Sequence, residues 1–222
     1  DKKVAQLKEF VQKFGSGSRA SQAQSRVKEM KKLAPDELKR SNIQRPFIKF
    51  EPPGKQSGQI PYKIEGISKS FDDIDVIKNF KYEISRGEKI GVIGNNGRGK
   101  TTLLRMLAGD LEPDSGQIVL GNHLELGYFP QNHEDVVDKS SDVGMVDWLR
   151  PKREGLHEQE GRSVLGKLLF SGHEGLKEIC KLSGGETARL ILASLIMNEF
   201  NTLILDEPNN HLDLESVSSL GW

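Results

Sequence analysis

The chain has a single cysteine, Cys180, among its 222 residues. That excludes an internal disulfide and fits a reducing compartment. No apolar run approaches the ~20 residues needed to span a bilayer, so no segment reads as membrane-inserted. The opening residues DKKVAQLKEF contain no apolar stretch of signal-peptide type. Together these absences point to the cytoplasm. Net charge is missing too, with 32 Lys and Arg against 32 Asp and Glu. What is present is a soluble globular balance, 35% hydrophobic and 29% charged. It suffices for one sizeable domain, alone or with an appendage.

The zero balance conceals an uneven distribution. Residues 1–50 hold 13 Lys and Arg against 5 Asp and Glu, a net +8, and the remainder carries the opposite charge. A basic arm on an acidic body suggests that the arm meets a polyanion; an ordinary solvated helical extension is the competing reading. Val4, Leu7, Val11 and Phe14 fall on one helical face. Gly15-Ser16-Gly17-Ser18 interrupts that pattern, and helical character resumes through Val27, Met30 and Leu33. Pro35, Pro46, Pro52, Pro53, Gly54 and Gly58 then mark a connector, placing a domain boundary near residue 58.

Beyond residue 58 the pattern alternates strand and helix. Tyr62–Ile67 and Val76–Ile84 read as strands, and Lys89–Ile93 as a short buried strand leading into a glycine-rich turn. Thr101–Ala108 reads as a helix, and Gln117–Leu120 and Leu124–Phe129 as further strands. Residues 145–180 look mainly helical, Arg189–Met197 a buried helix, and Thr202–Leu205 a buried strand. The expected architecture is an α/β domain with a mainly β lobe.

Two motifs carry chemistry. Gly94-Asn95-Asn96-Gly97-Arg98-Gly99-Lys100-Thr101 matches G-x-x-x-x-G-K-[ST] in full, with Thr102 next in the helix. Its glycines let successive N–H groups turn toward a β-phosphate, and the new helix adds unpaired N–H groups and its positive dipole end. Lys100 can reach the β- and γ-phosphates of ATP, and the Thr101 hydroxyl can ligate Mg²⁺. The second motif is Leu203-Ile204-Leu205-Asp206-Glu207, an apolar strand delivering two acids at its end. Asp206 suits the metal, and Glu207 the attacking water.

Between these motifs lies Leu182-Ser183-Gly184-Gly185-Glu186, directly before a helix. It resembles the signature motif of ATP-binding-cassette proteins. The resemblance implies a P-loop fold with a mixed ATP-binding core, an antiparallel β lobe and a helical signature lobe over about 132–197. It implies that Ser183, Gly184, Gly185 and Glu186 act on a nucleotide held by a second cassette. Gln131 looks like the glutamine that senses Mg²⁺ and water, and Phe71 like the aromatic that stacks on adenine, with core packing as its competitor. Asp213 falls where the family has the aspartate of its inter-cassette communication loop.

The stretch Asp206-Glu207-Pro208-Asn209-Asn210-His211-Leu212-Asp213 resembles the DEPTNHLD block of ABC-F proteins, with Asn209 in place of threonine. Arg189 looks like that branch as well. Phe10-Val11-Gln12-Lys13-Phe14 and Gln24-Ser25-Arg26 resemble its inter-cassette linker. Arg45–Phe50 and Leu165–Phe170 look most like the bacterial YbiT type. By resemblance, residues 1–58 are a basic helical linker and 59–222 an incomplete second cassette. The partners implied are another cassette and the ribosome, with its rRNA and tRNA.

The glycine-serine break departs from a linker that is helical in the family. The family's switch histidine also lies beyond the acidic pair, and the sequence ends 15 residues after Glu207. Nucleotide binding with weak or absent turnover is therefore expected of the chain alone. An ATPase subunit of an ABC transporter and a non-catalytic ATP-gated module are the competing readings. His133 and Cys180 read as structural, Cys180 as a buried neighbour of the signature turn.

Overall fold

The structure is a computed structural model that describes residues 45–50, 54–72, 74–170, 172–210, 212 and 216–217. The helices expected in the arm before residue 34, the prolines at 52 and 53, and Asp213 lie outside them. The described residues belong to one compact unit, Gln44–Trp222.

Alternating apolar residues draw out the first strand, β1 (Tyr62–Phe71), with Tyr62 and Ile64 buried and Lys63 exposed between them. The next buried residue is Ile67, and the pairing register shifts between Ile64 and Ile67. Gly66 takes up the irregularity with φ 63°. β1 is the middle of an antiparallel sheet, flanked by β2 (Ile74–Ile84) and β3 (Ser115–Leu120). Gly116 on β3 runs so close that a Cβ there would lie 2.3 Å from the Gly66 carbonyl oxygen.

This sheet packs on helix α1 (Lys100–Ala108) through Tyr62, Ile64, Ile67, Met106 and Leu107. The Tyr62 hydroxyl donates to the Leu107 carbonyl at 3.0 Å, so its one polar atom is satisfied inside the core. Burial pushes the phenol up to about 12. A second sheet pairs β4 (Leu126–Phe129) with β5 (Thr202–Leu205) in parallel.

The helical layer contains α2 (Met145–Leu149), α3 (Glu158–Lys167) and α4 (Gly184–Met197). Between them run 3-10 turns, including Gly172–Leu176 and Ile179–Lys181. Residues 145–180 are thus less regular than their apolar spacing suggests; positive φ at Gly155 and Gly172 breaks the run. α4 is apolar nearly all round and is the spine of the larger core, with Leu190, Ile191, Leu192 and Ala193 all at most 1% exposed. Ile48 and Phe50 from the connector pack against the same core, and Phe47 N–H donates to Lys167 O at 2.7 Å.

One expected element is corrected. Lys89–Ile93 forms no regular structure and is exposed, with Ile93 at 96%. An extended segment becomes a strand only when its N–H and C=O groups meet a ladder partner. None of the described residues supplies one, so local apolarity leaves these side chains uncovered.

Candidate nucleotide site

The parallel register of β4 and β5 builds the polar centre. Phe129 pairs with Leu205, and the Asp206 N–H continues the ladder to Phe129 O at 2.9 Å. Two residues past each paired strand end come Gln131 and Glu207, so one end of the sheet presents both. The Gln131 Nε2 donates to Glu207 Oε2 at 3.1 Å, and Thr101 Oγ1 donates to Gln131 Oε1 at 3.3 Å. Glu207 sits at φ 47°, a strained backbone for a side-chain-bearing residue. Asn210, three residues on, donates from its side chain to the same Glu207 oxygen.

Asp206 is 2% exposed, and its Oδ2 has no hydrogen-bond partner. Burial raises its pKa, the Thr101 hydroxyl and the Lys100 ammonium oppose the rise, and the Glu207 charge adds to it. A buried carboxylate oxygen without a partner, beside a threonine hydroxyl and a glutamine carbonyl, is an all-oxygen donor set. It fits a hard divalent cation such as Mg²⁺. Metal-type clusters of three or more His, Cys, Asp or Glu are absent among the described residues.

The phosphate loop leads into α1 through Gly99, which caps the helix at φ 83°. A Cβ at Gly99 would fall 2.4 Å from the Val76 side chain on β2, so the loop lies directly against the β1–β2 hairpin. Lys100 folds back over its own loop and donates to Gly94 O at 2.9 Å and Asn95 O at 3.2 Å. Gly94, Asn95, Asn96, Gly97 and Arg98 are solvent-exposed, whereas Lys100, Thr101 and Thr102 are half-buried. Phe71 ends β1 at 46% exposure, with the Lys69 ammonium 5.8 Å from its ring centre. Its ring is not in the core, against the competing expectation of core packing.

The signature residues lie apart from this cluster. Ser183 caps α4: its Oγ accepts from Glu186 N–H at 3.3 Å, and Glu186 Oε2 accepts from Ser183 N–H at 2.8 Å. Neither Ser183, Gly184, Gly185 nor Glu186 bonds to Lys100, Thr101, Gln131, Asp206 or Glu207 in this chain. Three supporting residues escaped the sequence reading. Asn210 was visible only as part of a motif block. Lys177 and Lys139, which bond Glu186 and Leu182 O respectively, have no local signal because turns bring them to the signature. His133 is a core residue, edge-on to Phe129 at 5.1 Å between ring centres. Cys180 is half-buried beside the signature turn rather than fully buried.

Many nucleotide-binding folds open a helix with a phosphate loop. A capped Ser-Gly-Gly-Glu turn on its own helical layer, added to an antiparallel β lobe, is the mark of the ATP-binding-cassette class. The chain belongs to the ABC transporter family: the family model of that description matches residues 77–210. A second model, also described as ABC transporter, matches residues 1–50. The mixed α/β cassette fold expected from the sequence is therefore borne out.

Among curated relatives, the chain is 42% identical to the probable ATP-binding protein YbiT of Escherichia coli O157:H7 over 98% of its own length and 41% of that protein. It is 37% identical to the uncharacterized ABC transporter ATP-binding protein YkpA of Bacillus subtilis, over 99% of its own length and 41% of that protein. It thus spans about two-fifths of these relatives. Among solved structures, the post-hydrolysis dimer of the cassette MJ0796 with ADP and Pi aligns at TM-score 0.58 and 18% identity, over 72% of this chain and 79% of that one. A bacterial Atm1-family ABC exporter with ATP bound aligns at 0.58 and 18%, over 90% and 37%. At such identity these two speak for the fold alone.

Proposed function

We propose that this cassette binds Mg-ATP on the loop Gly94–Thr101 and hydrolyses it in partnership with a second cassette. The observation that carries the proposal is the chain of bonds from Thr101 to Gln131 to Glu207 beside the buried Asp206, whose carboxyl responds to both Thr101 and Glu207. Lys100 leaves its loop carbonyls for the β- and γ-phosphates, and Phe71 offers a ring face to adenine. Thr101, Asp206 and Gln131 hold the magnesium, which when bound neutralises charge developing on the phosphates. Glu207 accepts the proton of the attacking water, oriented by Gln131 and Asn210. Ser183, Gly184 and Gly185 cap the γ-phosphate on the neighbouring cassette, consistent with their lying apart from this chain's own loop.

We read residues 1–58 as a basic inter-cassette linker and 59–222 as a second cassette of ABC-F type, acting on ribosomes in the cytoplasm. The Asp206–Asp213 block, the arm's net +8 charge and its resemblance to that linker support this reading. Among the described residues no helix is long and apolar enough to cross a membrane. The family model's description favours a second reading, the ATPase subunit of a transporter.

The test is a Glu207→Gln variant of the intact protein carrying this cassette. Retained ATP affinity, phosphate release reduced by about 10²-fold or more and ATP-dependent co-sedimentation with ribosomes are expected. Unchanged phosphate release would remove Glu207 from the chemistry. Absence of turnover in the unmutated intact protein would leave a nucleotide-gated module. No ribosome association with ATP trapped would favour the transporter reading.

A further inference from the structure

The start of α4 poses an electrostatic conflict. A helix N-terminus with two glycines offers free N–H groups and a positive dipole end to an anion. Its third residue is nevertheless Glu186, whose negative charge opposes an arriving phosphate. The capping box explains why an acid is there, because Glu186 Oε2 secures the Ser183 N–H. The Ser183 hydroxyl accepts the Glu186 N–H and also acts on the Glu186 carboxylate, so serine and glutamate hold each other in the turn. The geometry therefore suits anion capture only if the carboxylate is neutralised in place.

Lys177 does this. Its Nζ lies 2.5 Å from Glu186 Oε1, the oxygen the capping box leaves over, and the Glu186 side chain is only 12% exposed. Both carboxylate oxygens are thereby engaged, Oε1 by Lys177 and Oε2 by the Ser183 N–H. The lysine is held by backbone: Lys177 N–H donates to Glu174 O at 3.1 Å, and the following residues bridge to the segment before α2 through Gly144–Glu178 and Ile179 N–H to Val143 O. Glu174 and Arg189 are the other charges that act on it. Burial on its own would raise the Glu186 carboxyl. The bonds from Lys177 and Ser183 outweigh it and hold the group down at about 2.

We propose that Lys177 is a positioning residue for ATP hydrolysis: its ammonium cancels the Glu186 charge, so that the signature turn accepts the γ-phosphate of the opposing cassette. The inference rests on the reading that Ser183–Gly185 act on a partner's nucleotide. Lys177 touches no substrate; it acts through Glu186.

The test compares Lys177→Gln, Lys177→Arg and the double variant Lys177→Gln/Glu186→Gln in the intact protein, with Ser183→Arg as the control. Lys177→Gln lowers kcat/KM for ATP about tenfold, the scale of one uncompensated interfacial charge. Nucleotide affinity measured on the chain 1–222 alone stays unchanged. Lys177→Arg keeps wild-type activity. The double variant regains activity to within about threefold, because glutamine also serves a capping box and carries no charge. Full activity in Lys177→Gln, or no recovery in the double variant, overturns the proposal; the latter makes the pair merely structural. Full activity in Ser183→Arg would instead remove the underlying reading of the signature.

Discussion

Asp206 carries a cost that Thr101 and Lys100 relieve only in part. Its Oδ2 is buried without a hydrogen-bond partner, and burial and the Glu207 charge push its pKa up. Asp206→Asn keeps a polar atom there but removes the buried charge next to Glu207, so it should stabilise the metal-free chain. The same change should abolish the Mg²⁺ dependence of ATP binding. Thermal unfolding with and without Mg-ATP checks both, and a destabilised metal-free variant would show the carboxylate to be structural. The sign with pH follows: a raised pKa means the folded state binds this proton more tightly. Acidification through that pKa therefore favours the metal-free fold while it displaces the metal. Mg-dependent binding should fail at a higher pH than an ordinary aspartate would allow. Asn210 makes a second residue-scale prediction. Asn210→Ala releases one of two groups holding the Glu207 carboxylate, so kcat should fall about tenfold from misplacement of the base, with ATP affinity kept. Single-turnover hydrolysis beside equilibrium nucleotide binding separates the two.

At the scale of elements, the strands and helices that carry the site were legible where local pattern and tertiary pairing agree. The alternation from Tyr62, the glycine loop before α1 and the apolar run Leu203–Leu205 each specify an element that forms. Lys89–Ile93 has the same apolar character and does not form a strand, because pairing is decided by a partner segment that local sequence cannot name. The link between Gln131 and Glu207 depends likewise on the β4–β5 register, set between residues 76 positions apart. α4 is a different case: the Ser-Gly-Gly-Glu start that resembles a signature motif also forms a capping box in the structure. Ser183→Ala should therefore cost about 1 kcal/mol of stability, seen as a lower midpoint in urea. The box should also weaken in acid. With the Glu186 carboxyl depressed to about 2, its contribution is complete above the ordinary glutamate range and is lost as pH falls toward that value. A midpoint unchanged in Ser183→Ala would mean the helix start does not depend on the Ser183 hydroxyl, the backbone N–H bond to Glu186 and the lysines sufficing.

For the molecule as a whole, charge is the property that local structure least explains. A net +8 over residues 1–50 against an equal and opposite remainder is the asymmetry behind the proposed division of labour. On the proposed reading the body binds nucleotide and the basic arm meets a polyanion, which salt dependence can test. Replacing Lys28, Lys31 and Lys32 together with glutamine should weaken ribosome co-sedimentation while leaving ATP affinity intact. Each lysine that neutralises a phosphate adds about one to the slope of log affinity against log salt. The triple variant should therefore flatten that slope by about 2–3, the loss being greatest at low salt. An identical slope in variant and parent would remove these three side chains from the contact. A slope near zero in the parent itself would leave the arm as a solvated extension, and the ribosomal reading would then rest on the Asp206–Asp213 block alone.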